Sequence, residues 1–174
     1  MEPLERLIPD IYRQTIGPLY GFVSRRCGGE RALAEDVVQE TWLRAVNTWR
    51  EHGMPDAPAA WLRTVANNLL INHFRRQRPV SLDDGVMARM LAAVDEGAGI
   101  ESADTARLMQ WGIAQLPAGE AGLLQAFHFD ERPVAGIAAD LKLSERAVEG
   151  RLRRARQRLR RVIEKHVSRK GARS

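Results

Sequence analysis

The spacing between Val134 and Leu159 constrains this chain more than any other feature. Eight residues of helical character are followed by a three-residue turn (Lys142, Leu143, Ser144) and then a long amphipathic run. In that run Val148, Leu152, Ala155 and Leu159 recur at intervals of three and four, which at 100° per residue puts them on one narrow face. The opposite face carries Arg146, Glu149, Gly150, Arg153, Arg154 and Gln157. Ser144 stands where a helix needs its N-cap, with a hydroxyl that can accept from the open N–H groups of the first turn. Ile137, Leu141, Leu143 and Val148 supply apolar contacts between the short and the long helix, and Ala138 is small enough to let them approach. The pattern predicts a helix-turn-helix, with a short helix over 134–141 and a long one over 145–166.

Charge sharpens this reading. The chain has 27 basic and 22 acidic residues, a net +5. From Lys142 to the end it carries 13 Lys and Arg against 3 acidic residues, +10, which leaves −5 for residues 1–141. One end is therefore built to meet a polyanion, either nucleic acid or an acidic membrane surface. Arginine can donate two bonds to a guanine edge, and Gln or Glu can address other bases, so the face of Arg146, Glu149, Gly150, Arg153, Arg154 and Gln157 suits the major groove. Arg151, Arg156 and Arg158 fall on its flanks, where phosphates would lie. A run of arginines on its own is usually a solvated face. Coupled to a helix-turn-helix, it reads as DNA-binding.

Upstream, the sequence predicts further helices. The first covers Leu4 to Arg26, with a possible bend at Gly17 and Pro18, and Cys27, Gly28 and Gly29 end it. The second starts near Ala32 and has a stripe of Leu33, Val37, Val38, Trp42, Val46 and Trp49. A loop over Glu51–Pro58 follows, then a helix from about Ala59 to Arg78. One side of that helix holds Trp61, Leu62, Val65, Ala66, Leu69 and Leu70; the other holds Arg63, Asn67, Ile71, Phe74, Arg75 and Arg78. Apolar groups among cations fit a surface for bases and phosphates, or a packing surface for another helix. From Pro79 to Ser102 the chain reads as an acidic linker, because Gly85, Gly97 and Gly99 dilute a short apolar patch and Asp83, Asp84, Asp95, Glu96 and Glu101 outnumber Arg89. Helices over 103–116 and 120–129, joined at Pro117, then lead into the helix-turn-helix. The expectation is an all-α chain of two small helical domains, 1–78 and 103–168, joined by the linker 79–102 and ending in a basic tail, 169–174, expected to be disordered.

Other classes fare poorly. The single cysteine, Cys27, allows no internal disulfide, points to a reducing compartment and suits a small buried side chain better than a reactive thiol. Glu2, Glu5 and Asp10 stand where a signal peptide would be apolar, and no stretch reaches the roughly 18 apolar residues of a membrane span. A cytoplasmic location without membrane insertion is therefore expected. His52, His73, His128 and His166 lack metal-ligand spacing, no glycine loop cradles a phosphate, and no nucleophile stands beside a base. The expectation is a non-enzyme, with neither catalytic residues nor metal nor cofactor.

Three blocks carry a resemblance. VAGIAADLKLSERAVEGRLRRARQRL, residues 134–159, resembles region 4 of the extracytoplasmic-function (ECF) sigma factors of bacterial RNA polymerase, including the Arg-Leu-x-Arg-Ala-Arg ending at Arg151–Arg156. AEDVVQETWLRA, from Ala34, resembles region 2.2, and PAAWLRTVANNLLINHFRR, from Pro58, resembles regions 2.3 and 2.4. The blocks stand in the family's order and span most of the chain.

The resemblance implies a factor that binds core RNA polymerase and directs promoter recognition and melting. It places Asp36, Gln39 and Glu40 on the clamp helices of the largest subunit, a patch that alone would pass for a solvated helix face. It places Asn67, Asn68, Ile71, Arg75 and Arg76 against the −10 element, with the loop Gly53–Ala57 holding a flipped base. Region 4 would read the −35 element through Arg146, Glu149, Gly150, Arg153, Arg154 and Gln157 while docking on the beta flap. The acidic linker would thread toward the active centre, imitating nucleic acid, or act as a plain tether. An anti-sigma factor is a further implied partner. Asn72, Lys142, Arg146, Ala147 and Gly136 depart from the residues usual in the family. The nearest rival reading, a stand-alone helix-turn-helix regulator, accounts for the C-terminal half but leaves the Asp36 patch and the second basic helix without a role.

Overall fold

A computed structural model describes residues 4–77, 84–96 and 102–171, all of whose regular elements are helices, and the chain divides into two units between His73 and Phe74. In the first unit, α1 (Leu4–Arg26) is one continuous helix that includes Gly17 and Pro18. It stops where Gly28 and Gly29 take φ of 60° and 85°, left-handed values that cost glycine little. Next comes α2 (Arg31–His52), which buries Leu33, Val37, Val38, Trp42, Ala45 and Trp49, most of the predicted stripe. Gly53, with φ 83°, ends α2, its N–H donating to the Trp49 carbonyl. Pro58 opens α3 (Pro58–Arg76), at a helix position where no N–H is required. Tyr12, Trp42, Trp49 and Trp61 form a chain of tilted and edge-on rings with centroids 5.0, 5.8 and 5.6 Å apart, tying α1 to α2 and α2 to α3. Leu62, Ala66 and Leu70 of α3 are fully buried.

The second unit holds α4 (Asp84–Glu96), α5 (Ala103–Ala114), α6 (Ala118–His128), α7 (Val134–Leu141) and α8 (Glu145–Gly171). Their shared core includes Met109, Ile113 and Leu124 with Val148, Leu152, Ala155, Leu159 and Ile163 of α8, each of these eight at most 2% exposed. Burying an aliphatic side chain of this size contributes about 1.5–3 kcal/mol, so the apolar stripe of α8 alone fixes that helix firmly. Ser102 caps α5 by accepting from the Thr105 N–H at 3.2 Å. Gly112 brings α5 close to α8: a Cβ there would stand 2.6 Å from Leu159 Cδ1 and 2.9 Å from Ile163 Cδ1.

The structure corrects several expectations. The stretch read as a linker contains α4, whose Val86, Met90, Ala93 and Val94 recur at helical spacing and are buried in the core of the second unit. Gly85 lies within the first turn of α4 without preventing the helix. Asp83 and Glu101 of that stretch, and Arg78, lie outside the described residues. Of the two readings of the mixed face of α3, packing holds for Phe74, which is 2% exposed, and Ile71 is half-buried; an aromatic ring gains too much from leaving water to stand among solvated arginines. Leu141 is 47% exposed instead of bridging the helix-turn-helix, because α7 ends there and the chain turns at the next residue. Helix α8 continues to Gly171, so the first residues of the expected disordered tail are helical, and 172–174 lie outside the described residues.

Candidate nucleic-acid interface

The turn before α8 is built by backbone geometry. Lys142 sits in the left-handed region at φ 53° and ψ 44°. That conformation lets the Leu143 N–H reach back to the Ala138 carbonyl at 3.0 Å, the long bond of a Schellman stop, and seats Leu143 against the core. Ser144 then starts α8 as predicted: its Oγ accepts from the Ala147 N–H at 3.2 Å, and its carbonyl accepts from the Val148 N–H at 3.1 Å. Ile137 and Ala138 of α7 are buried with Val148, which sets the two helices in register.

With Val148, Leu152, Ala155 and Leu159 buried, the opposite side of α8 faces water. Arg146, Glu149, Arg153, Arg154 and Gln157 are exposed and Gly150 is half-exposed, so the six predicted base-reading positions share one accessible face. Arg146, Arg151, Arg153 and Arg154 take part in no ion pair among the described residues. They form a row of uncompensated cations, which attracts a polyanion.

The other two flanking arginines are already engaged. Arg156 is half-buried with its guanidinium 4.8 Å above the Phe127 ring centroid, a cation–π arrangement. Burial lowers its proton affinity from the usual arginine range, and Asp95 acts in the opposite sense. Arg158 pairs with Glu120 of α6 at 3.1 Å. Further along, Arg160 bonds both Glu164 at 3.0 Å and Asp95 of α4 at 2.7 Å. Among the described residues, acidic groups of α4 and α6 thus engage Arg158 and Arg160 but none of the arginines in the first three turns of α8. Beneath Arg156 lies His128, 6% exposed, its imidazole pushed down to about 4 by burial and then by Arg156.

In the first unit Asp36 and Gln39 are exposed, and Glu40 is partly exposed and accepts from Arg44 Nε at 2.7 Å. They follow one another along one side of α2. Leu43, one turn on and 62% exposed, extends the row with an apolar group. Between α1 and α2, Tyr12, Ile16, Trp42, Leu43 and Val46 line an open groove of about 700 Å³ that reaches Gln39. On α3, Asn68 is exposed and Asn67 is half-buried with its Oδ1 out of reach of any donor; Arg75 and Arg76, past the unit boundary, are exposed, and Arg75 Nε donates to the Ala114 carbonyl at 3.2 Å. In the loop Gly53–Ala57, Met54 and Pro55 are half-buried and Asp56 and Ala57 exposed.

Residues 11–80 match the Sigma-70 region 2 family and residues 112–159 match Sigma-70, region 4. The ECF RNA polymerase sigma factor SigL of Mycobacterium tuberculosis is 35% identical over 143 residues, 80% of this chain and 79% of that protein. The chain belongs to the ECF sigma factors. It is also similar to the ECF RNA polymerase sigma factor BldN of Streptomyces coelicolor, 32% identical over 105 residues (57% of this chain, 39% of that protein), and to a probable RNA polymerase sigma factor, RfaY, of Xanthomonas campestris, 30% identical over 130 residues (72% and 32%). As an ECF sigma factor it is a DNA-binding protein of transcription initiation, in a family that binds core RNA polymerase and promoter DNA. Among the described residues no helix is long and apolar enough to cross a membrane, and no group of three His, Cys, Asp or Glu could hold a metal ion.

Two features of this sigma factor escaped sequence reasoning. Leu43 and Tyr12 form an exposed apolar patch beside the Asp36 row; the available signal was that Leu43 falls outside the buried stripe of α2. The pairing of Arg158 with Glu120 and of Arg160 with Asp95 left no signal, because the partners are far apart in the chain.

Proposed function

We propose that this ECF sigma factor docks on the clamp helices of the polymerase largest subunit through Asp36, Gln39 and Glu40, and that it reads the −35 element by laying the exposed face of α8 in the major groove. The −35 contacts fall to Arg146, Glu149, Arg153, Arg154 and Gln157 with Gly150 between them, and Arg151 meets a phosphate. Arg156 and Arg158 reach phosphates only by leaving Phe127 and Glu120. Asn67, Asn68, Ile71, Arg75 and Arg76 meet the −10 element, and bases unstacked from the duplex are held on protein, which offsets a cost of a few kcal/mol per flipped base. Melting then proceeds by capture of opened bases, with no hydrolysis and no cofactor. The second unit also rests on the beta flap, an anti-sigma factor is the partner that withholds the protein, and the site of action is the cytoplasm.

The observation that carries this reading is the row of uncompensated arginines on α8, positioned by the Ser144 cap and separated by a whole unit boundary from the acidic row on α2. The two rows differ in chemistry, so they separate by mutation. Arg153→Ala with Arg154→Ala should weaken duplex binding by a few kcal/mol in total, since a good bidentate base contact is worth about 1–3 kcal/mol, and leave affinity for core polymerase intact. Asp36→Ala with Glu40→Ala should do the reverse. Equal loss of both activities in both variants would refute the division of labour.

A further inference from the structure

Gly150 is the sixth residue of α8, deep enough in the helix that glycine destabilises it relative to alanine. Nothing within the folded chain asks for it. A Cβ at this position would meet only Arg154 Nη1, at 3.7 Å, an ordinary contact with the tip of a flexible side chain, and the backbone is not left-handed there. Gly112 is different, since a Cβ there would collide with buried Leu159 and Ile163. So are Gly28, Gly29 and Gly53, which turn the chain with positive φ.

Openness alone does not single Gly150 out, because Gly119 and Gly122 of α6 are more open still, with no atom within 4 Å of an added Cβ. Its neighbours do. Arg146 lies one turn before it, Arg153 and Arg154 lie one turn after, and residues three and four apart are adjacent on a helix surface. All three arginines are exposed. The result is a patch of bare backbone ringed by cations.

We infer that Gly150 is the point of closest approach between α8 and duplex DNA, and that its missing side chain determines whether the flanking arginines reach the base edges. This rests on the reading of α8 as the helix that enters the major groove. Hydrogen bonds from guanidinium to base hold only over about 2.7–3.2 Å. A side chain at 150 would keep the helix axis away from the bases by more than that tolerance, and Arg146 and Arg153 would lose their bonds together. Phosphate contacts, made by long side chains at the flanks, adapt to such a shift.

The test uses the full chain and a 30-base-pair duplex that the wild-type protein itself selects from a random-sequence pool. Thermal stability and duplex affinity are measured for the wild type, Gly150→Ala and Gly122→Ala. Both substitutions should raise Tm, because both replace an open helix-interior glycine. Gly150→Ala should weaken binding to the selected duplex at least tenfold while affinity for an unselected duplex stays within twofold. Gly122→Ala should leave both affinities within twofold. Undiminished affinity of Gly150→Ala for the selected duplex overturns the inference and leaves the reading of α8 intact. A fall in Tm on Gly150→Ala also overturns it, since packing inside the chain would then require the glycine. A wild-type protein that selects no sequence at all overturns the inference together with the reading of α8 beneath it.

Discussion

Cutting Met90 back to alanine tests whether α4 is a structural part of the second unit or a passing piece of tether. Met90 is fully buried, as is Val94, and Val86 and Ala93 share the same core with α5, α6 and α8. Removing a buried methionine side chain from such a site costs about 2–5 kcal/mol, the lost transfer energy plus the cavity left behind. At roughly 1.4 kcal/mol per factor of ten, that is a loss of about 30-fold or more in the equilibrium protecting the unit from opening. The polar clasp on the same helix is worth much less: Asp95 and Arg160 are 51% and 44% exposed, so Asp95→Ala should cost no more than about 1 kcal/mol. Native-state hydrogen exchange read peptide by peptide separates the units. Met90→Ala should accelerate the slowest amides of α5, α6 and α8 by at least that 30-fold and leave α1 and α2 unchanged. Unchanged protection in α5–α8 would show that α4 contributes nothing to the core and would refute its place in the fold.

Acid should destabilise the second unit through His128. Its imidazole lies near 4 in the fold against an ordinary value of 6.5, so as pH falls below about 6.5 the unfolded chain takes a proton that the native one refuses. Stability is then lost until about pH 4, where the loss levels off; at pH 5 it amounts to about 2 kcal/mol, and His128→Leu should flatten the fall in Tm between pH 7.5 and 5. The Cys27 thiol, pushed up to about 12 by burial and then by Glu30, should resist alkylation at pH 8 until the protein is denatured; fast labelling of the native chain would contradict its burial. Gly112→Val should lower Tm, since overpacking against fully buried Leu159 and Ile163 costs about 1–3 kcal/mol or more, and an unchanged Tm would mean that α5 and α8 are not in close contact.

Much of the fold is visible in the sequence because it depends on local chemistry. The limits of α7 follow from Pro133 and the Lys142 turn, the start of α8 from the Ser144 cap, and the buried face of α8 from four residues at helical spacing. Helix α4 is visible too in principle, since Val86, Met90, Ala93 and Val94 keep the helical period, but Gly85 and the acidic residues around it resemble a linker when read by composition. Long-range partners are another matter. Nothing local to Arg156 announces Phe127, and nothing local to Arg158 announces Glu120. Which arginines of α8 are spoken for, and which remain to meet DNA, is therefore set by how α6 and α4 pack, a property of the tertiary fold. Phe74, by contrast, is legible in the sequence: it follows Leu62, Ala66 and Leu70 at four-residue intervals, and all four are buried.

The central claim is that this chain gives core polymerase the ability to start at chosen sites. Purified core enzyme, with and without the protein, should be run on fragmented genomic DNA of the source organism and the RNA 5′ ends mapped. Discrete start sites preceded by shared −35 and −10 sequences, appearing only when the protein is added and lost with Arg153→Ala plus Arg154→Ala, are the predicted result. A protein that binds duplex DNA but adds no start sites to core enzyme would contradict the account and leave a helix-turn-helix regulator in its place.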